Sequence, residues 1–165
     1  METKFTPWRM DYIKSSTAPP VTGCVFCRMV EAPPDHDREN LVLQRGEHCF
    51  VVLNLYPYNP AHLMVIPYLH SGDLTMLEPE AANELFALTR QAVSIISAEY
   101  NPQGFNLGMN LGRSAGAGIA DHLHMHIVPR WSGDNNFMPI IGQTRIIPED
   151  LDTTYGRLRA RFSKR

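Results

Sequence analysis

No apolar run in the 165-residue chain approaches the ~20 residues that a membrane-spanning helix needs. The opening METKFTPWRMDYIKSS is too polar for the apolar core of a signal peptide, so the chain is expected in the cytoplasm. An excess of charge is missing too: 15 basic against 17 acidic side chains leave a net -2. That balance supplies no overall positive field for an extended nucleic acid, so any polyanion must be met locally. Cysteine is scarce. Cys24, Cys27 and Cys49 form an odd set of three, which excludes a disulfide scaffold, and Cys24-Val-Phe-Cys27 reads as metal or redox chemistry before a structural disulfide. Internal repeats and low-complexity tracts are also absent. With 44% apolar residues the composition is that of one ordinary globular domain. What the chain does hold is histidine, seven of them.

Residues 1–23 carry Pro7, Pro19 and Pro20 among small polar residues and read as an arm lying on the body, with Trp8 and Tyr12 as anchors. After the polar, proline-broken EAPPDHDREN, apolar β-branched and aromatic residues return. Strands are expected at Leu41–Gln44 and Cys49–Leu53, joined by a turn at Arg45-Gly46. YPYNPAH breaks the pairing, because Pro57 and Pro60 cannot donate to a central ladder, and Leu63–Pro67 reads as a third strand. Between Glu78 and Tyr100 the period changes: Leu85, Leu88, Ala92 and Ile96 share one helical face, Pro79 suits a first turn, and Asn101-Pro102 ends the pattern. Phe105–Leu111 and Asp121–Val128 read as strands four and five around the glycine-rich GRSAGAG. A short helix is expected within Glu149–Phe162. This order predicts an α+β fold with a mainly antiparallel sheet.

His122, His124 and His126 alternate with Leu123, Met125 and Ile127, so an extended strand would carry all three imidazoles on one face. One reading is a polar outer face that happens to use histidine. A second is a metal site, but at ~3.3 Å per residue the outer two start about 13 Å apart, so at most two could share an ion. The third is chemistry on an anionic substrate: a neutral imidazole is nucleophilic, and a protonated neighbour can counter a phosphate or assist a leaving group. GRSAGAG, just upstream, adds backbone N–H groups and the Ser114 hydroxyl, with glycines that permit close approach of a phosphate. Gly and Ser also make ordinary turns.

HLHMHIVPR resembles the H-φ-H-φ-H-φ-φ signature of the histidine triad (HIT) superfamily of nucleotide hydrolases and transferases, and NPAHLMVIP resembles that family's strand with a further active-site histidine. The resemblance runs in order over roughly residues 24–138, leaving 139–165 as a C-terminal extension packed on the domain. TPWRMDYI, LNLYPYNPAHLMVIPY and VPRWSGDNNF are further similar to the bacterial branch that includes diadenosine tetraphosphate phosphorylases. The resemblance implies a HIT-like fold, with a five-stranded mainly antiparallel sheet, one long helix and short flanking helices. It implies a homodimer, and nucleotidyl transfer from a dinucleoside polyphosphate to inorganic phosphate or water. His124 would attack the α-phosphorus and carry the nucleotide covalently. His126 would hydrogen-bond phosphate oxygens, and His62 would help orient or protonate the leaving group. Asn54 matches the position that meets the ribose hydroxyls, while Asn110, Ser114, Gly116 and Gly118 fall in the phosphate-binding segment. One departure stands out: many relatives carry Gln four residues before the first triad histidine, where this chain has Gly118. Either the vacated space admits inorganic phosphate as acceptor, or Ser114 supplies the missing contact.

The cysteine pair alone could be redox-active, two core residues or metal ligands, and no βαβ unit surrounds it as in thioredoxin-like proteins. In family members with this pair, the resemblance implies structural zinc held with two histidines, here His70 and His122, and no redox cofactor. His36 and His48 are possible substitutes that read better as solvated loop residues, and Cys49 as a small buried strand residue. Three rivals share some of these features. A nucleoside phosphoramidase would use the same attacker on a P–N bond, a nucleotide-binding adaptor would bind without turnover, and a metal hydrolase would lose turnover on chelation without unfolding.

Overall fold

The computed structural model describes residues 23–134 and 149–163. The expected N-terminal arm, with Trp8 and Tyr12, lies outside these residues but for Gly23, as do residues 139–148 of the C-terminal extension. Among the described residues the chain forms three α-helices, α1 (Val25–Glu31), α2 (Pro79–Tyr100) and α3 (Leu151–Phe162). It forms five strands, β1 (Val42–Arg45), β2 (Cys49–Leu53), β3 (Leu63–Pro67), β4 (Gly104–Gly108) and β5 (Met125–Arg130). They make one antiparallel sheet in the order β1-β2-β3-β5-β4. No described helix is long and apolar enough to cross a membrane.

Strand alternation sorts the core into two clusters. Cys49, Val51, Leu53, Leu63, Val65, Met125 and Ile127 face α2 and α3, where Leu85, Leu88, Ala92, Ile96, Tyr155, Leu158 and Phe162 close the main core. Phe50, Val52, Met64 and Ile66 face the other way and pack around Phe26 of α1. The long helix follows its sequence signals: Pro79 opens it, and Asn101 ends it in the left-handed region at φ 44°. In α3 the Asp150 carboxylate caps Thr153 N at 2.8 Å, and Tyr155 Oη donates to Val42 O at 3.0 Å.

Helix α1 has only seven residues and no side-chain N-cap, too short to stand alone. Its C-terminal end is held by Arg45, whose guanidinium donates to the carbonyls of Met29, Val30 and Ala32 at 2.8–3.1 Å and to the buried Asp37 carboxylate at 2.9 Å. Arg45 therefore belongs to β1, and the turn falls on residues 46–48, one step later than the sequence suggests. The Glu84 carboxylate accepts the backbone N–H groups of Glu47, His48 and Cys49 there, and a side chain at Gly46 would collide with it. Burial pushes the Glu84 carboxyl upward, but these three donors win and hold it below the usual carboxylate range.

The fifth strand departs most from expectation. It begins at Met125 instead of Asp121 and continues through Pro129 to Arg130. Pro129 is tolerated because β3 stops pairing at Leu63↔Ile127, so the missing N–H faces the side beyond the end of β3. On that side the Pro129 carbonyl accepts from Asn59 Nδ2 at 2.8 Å. Residues 121–124 form a bend, in which Leu123 N donates to Ser71 O at 2.8 Å. His122 and His124 thus precede the strand and only His126 lies in it.

Candidate active site and metal centre

The bend turns the three imidazoles to different tasks. His122 Nε2 faces the Pro67 carbonyl at 2.8 Å. A carbonyl only accepts, so the proton sits on Nε2 and Nδ1 offers its lone pair. That Nδ1 lies 3.3 Å from Cys24 Sγ, 3.7 Å from Cys27 Sγ and 3.3 Å from His70 Nδ1. The ligand atoms of Cys24, Cys27, His70 and His122 all fall within 4.8 Å of one another. Two thiols and two imidazole nitrogens converging this closely fit a four-coordinate metal site, and the Pro67 carbonyl is the outer partner that fixes a ligating histidine's tautomer. Burial lowers the His122 pKa, with the neighbouring His70 and His124 adding to the effect against the Pro67 hydrogen bond. The ring is thus kept in the neutral form that a metal requires. Burial likewise raises the Cys27 thiol, with Cys24 next to it. His36 pairs instead with Glu39 at 2.9 Å, His48 lies 4.0 Å from the Glu47 carboxylate, and Cys49 is fully buried with its Sγ 3.5 Å from Ala81 O.

His124 is 6% exposed, and its Nδ1 faces the carbonyl of His122 at 2.8 Å. By the same reasoning Nδ1 carries the proton and Nε2 the lone pair. Burial lowers the His124 pKa, so the ring is neutral at pH 7. Its ring centroid is 4.9 Å from that of His126, which Met64↔His126 pairing places on β5.

A second tautomer chain runs through His62, which is fully buried. The Tyr58 backbone N–H, which can only donate, lies 3.1 Å from His62 Nδ1. The His62 proton is therefore on Nε2, which lies 3.0 Å from His126 Nδ1 and donates to it. His126 in turn must carry its own proton on Nε2. Burial, with His124 beside it, pushes the His126 pKa down to about 4, so the ring is neutral. The Tyr58 ring stacks on His62 at 5.0 Å. The site offers one imidazole lone pair, on His124, beside one imidazole N–H donor, on His126.

Asn54 is half-buried, its Oδ1 accepting from Tyr56 N at 3.0 Å and its Nδ2 lying 3.3 Å from His62 Nδ1. Asn110, Ser114, Gly116 and Gly118 are exposed on the loop leading to the bend. Ser114 sits in a single 3-10 turn closed by Gly116, whose φ of 87° a residue with a Cβ rarely adopts. Phe26, Tyr58 and Asn59 carry no sequence signal of their contacts, and Arg45 reads only as part of a turn. Phe26, between the two cysteines, packs on His122 and His124. Asn59 donates to Asp134 Oδ2 at 2.7 Å, tying the Tyr58 loop to the end of β5. The YPYN string showed only as a pairing break, because backbone donors and long-range partners have no periodicity of their own.

A family model for the HIT domain matches residues 36–133. The chain belongs to the HIT family. It is 41% identical to the AP-4-A phosphorylase of Mycobacterium tuberculosis over 167 aligned residues, covering 99% of this chain and 86% of that protein. Among solved structures, a zinc-bound histidine triad family protein from Mycobacterium smegmatis aligns with TM-score 0.68 and 26% identity, over 86% of this chain and 94% of that one. A HIT family protein from Bacillus anthracis aligns with TM-score 0.60 and 31% identity, over 70% of this chain and 78% of that one.

Proposed function

We propose that the protein cleaves dinucleoside polyphosphates of the diadenosine tetraphosphate type through a covalent nucleotidyl-His124 intermediate, with inorganic phosphate as the preferred acceptor. The observation that carries this reading is the 2.8 Å bond from His124 Nδ1 to the His122 carbonyl, which leaves Nε2 unprotonated in a buried ring. In the first step Nε2 forms a bond to the α-phosphorus while the bond from that phosphorus to the bridging oxygen breaks, releasing a nucleoside polyphosphate. The His122 carbonyl stabilises the positive charge that the ring then carries on Nδ1–H. The Nε2–H of His126 donates to a phosphoryl oxygen, and its aim is set by His62. His62 has both ring nitrogens turned to protein groups and no exposed surface, so it acts as a positioning residue and does not itself protonate a leaving group. In the second step a phosphate oxygen attacks the same phosphorus, freeing His124 and forming a nucleoside diphosphate.

The backbone around Ser114 and the exposed Gly118 position provide the approach for the acceptor, and Asn54 the contact to ribose. Cys24, Cys27, His70 and His122 would hold a zinc ion. With four protein ligands it would supply a structural clamp between α1 and the triad bend, leaving no open position for water activation. The kinship to an AP-4-A phosphorylase supports phosphate over water. Product analysis tests the reading: purified protein with diadenosine tetraphosphate and phosphate should yield ATP and ADP. AMP in place of ADP would make water the acceptor, and faster turnover of adenosine phosphoramidate would overturn the substrate class. Absence of any cleavage would overturn the enzyme.

A further inference from the structure

The ring contacts at the site form an unbroken series from the metal cluster to the attacking imidazole, and one apolar residue closes the gap. Phe26 stands between the two cysteines in sequence, is 3% exposed, and lies with its ring centroid 5.4 Å from that of His122 and 5.3 Å from that of His124. The His122 contact is edge-on at 80°, a favourable aromatic geometry. His124 has one hydrogen bond fixing its ring, to a backbone carbonyl, and histidine χ2 is a broad torsion. The ring plane is therefore set by the rings that pack against it, His126 at 4.9 Å and Phe26 at 5.3 Å between centroids. The position of Phe26 is in turn set by α1, a helix anchored at its far end by Arg45 and at its near end by the contacts of Cys24 and Cys27 together with the packing of Phe26 on Phe50, Val52, Met64 and Ile66.

We infer that Phe26 is a positioning residue through which occupancy of the Cys24, Cys27, His70, His122 cluster orients the His124 imidazole for attack. The metal site is then part of the catalytic apparatus without touching substrate. With the cluster filled, both thiols are held beside His70 and His122, α1 is seated, and the Phe26 ring blocks rotation of His124 away from the orientation in which Nδ1–H meets the His122 carbonyl and Nε2 faces the site. With it empty, the near end of the helix keeps its apolar packing but loses the fixed position of its two thiols, and the block is relaxed. The inference rests on the proposed role of His124 as attacker.

The test uses the full-length zinc-loaded protein, labelled with nitrogen-15 in histidine, and its Phe26→Leu variant, which keeps an apolar side chain but removes the ring. Phe26→Leu should retain zinc at the wild-type stoichiometry and the wild-type KM for diadenosine tetraphosphate. The single-turnover rate of nucleotidyl-protein formation should fall about tenfold or more, as misplacement of a reacting group does. The His124 Nδ1–H resonance should broaden or split as the ring gains a second orientation. A variant that retains zinc with the wild-type rate and an unchanged His124 resonance overturns the inference. A second measurement needs no substitution: withdrawing zinc from the wild type by chelation should move the His124 resonance as Phe26→Leu does. A His124 signal that ignores metal removal overturns the link, and decides the matter alone should the leucine variant fail to fold. In Phe26→Leu, chelation should move His124 little further, and a shift as large as in the wild type would assign the coupling to another path. If the wild-type protein forms no nucleotidyl-protein at all, the proposed function fails, while the ring spectra still decide for or against Phe26.

Discussion

Replacing His62 separates a positioning role from direct chemistry, and the structure sets the size of the effect. In His62→Leu three polar groups lose a partner: the Tyr58 N–H at 3.1 Å, His126 Nδ1 at 3.0 Å and Asn54 Nδ2 at 3.3 Å; the half-buried Asn54 amide keeps Tyr56 N on its Oδ1, so the first two set the cost. Each buried group left unpaired costs about 1–3 kcal/mol, so stability should fall by about 2–6 kcal/mol. On the rate, His126 can then place its proton on either nitrogen, and the donor aimed at the phosphoryl oxygen is no longer enforced. Losing one hydrogen bond to a charged group is worth about 1.5–3 kcal/mol, or about 10- to 150-fold in the chemical step. His62→Gln should recover much of both losses, because its amide carries an acceptor and a donor that can replace the two ring nitrogens. Urea titration reads the first effect, and single-turnover cleavage of diadenosine tetraphosphate reads the second. A leucine variant whose chemical step stays within about twofold of wild type would refute the relay from Tyr58 through His62 to His126, since a twofold change is well under the energy of one hydrogen bond.

The remaining predictions concern the clamp and the charge state of the site. Arg45→Met leaves the Asp37 carboxylate, 6% exposed, with only the longer contact to Arg159 at 3.9 Å in place of its bonded partner at 2.8 Å, and it strips the donor from two carbonyls of α1 and from that of its C-cap Ala32. Breaking such a buried pair costs about 3–5 kcal/mol, and thermal unfolding that moves by less than a degree would contradict the assigned role. If the Cys24, Cys27, His70, His122 cluster holds zinc, chelation should lower the melting temperature, because the binding energy of a structural ion is folding energy. Loss of turnover with an unchanged melting curve would instead mark a metal hydrolase. For pH, the His126 pKa of about 4 in the folded chain lies below the ~6.5 of an unfolded histidine. The folded state therefore binds fewer protons, so this contribution is complete above about pH 6.5 and is lost as pH falls through about 4, to a ceiling of about 3 kcal/mol. Burial of the ring and the adjacent His124 set the shift, with His62 on its other nitrogen. Denaturation at pH 7 and pH 4.5 should show wild type losing more stability than His126→Gln, and equal losses would remove His126 as the cause.

Much of this was readable from residues alone, where local chemistry decided the outcome. The apolar period of Leu85, Leu88, Ala92 and Ile96 and the stop at Asn101 fixed α2 because every one of those residues is buried or capping in the fold. The Cys24, Cys27, His70, His122 set came from the family resemblance, and the structure brings those four ligand atoms together. The triad departs from a regular strand because alternation of His with Leu, Met and Ile satisfies a bend as well as a ladder. Nothing in residues 121–124 announces that the His122 carbonyl is reserved for a side chain and Leu123 N for Ser71. Arg45, Glu84 and Asn59 were illegible for a different reason. Each acts on backbone groups 13 to 70 residues away or on a turn that only the finished sheet creates, with Asn59 meeting Pro129 across a separation of 70.

Where the nucleotide resides during turnover is the most direct test of His124 as the attacking residue. Protein mixed with diadenosine tetraphosphate, quenched at neutral to basic pH and digested, should yield an adenylylated peptide by mass spectrometry whose modified residue is His124. His124→Ala should give neither adduct nor product. Steady cleavage by the alanine variant, or an adduct on His126 or His62 in the wild type, would contradict the account.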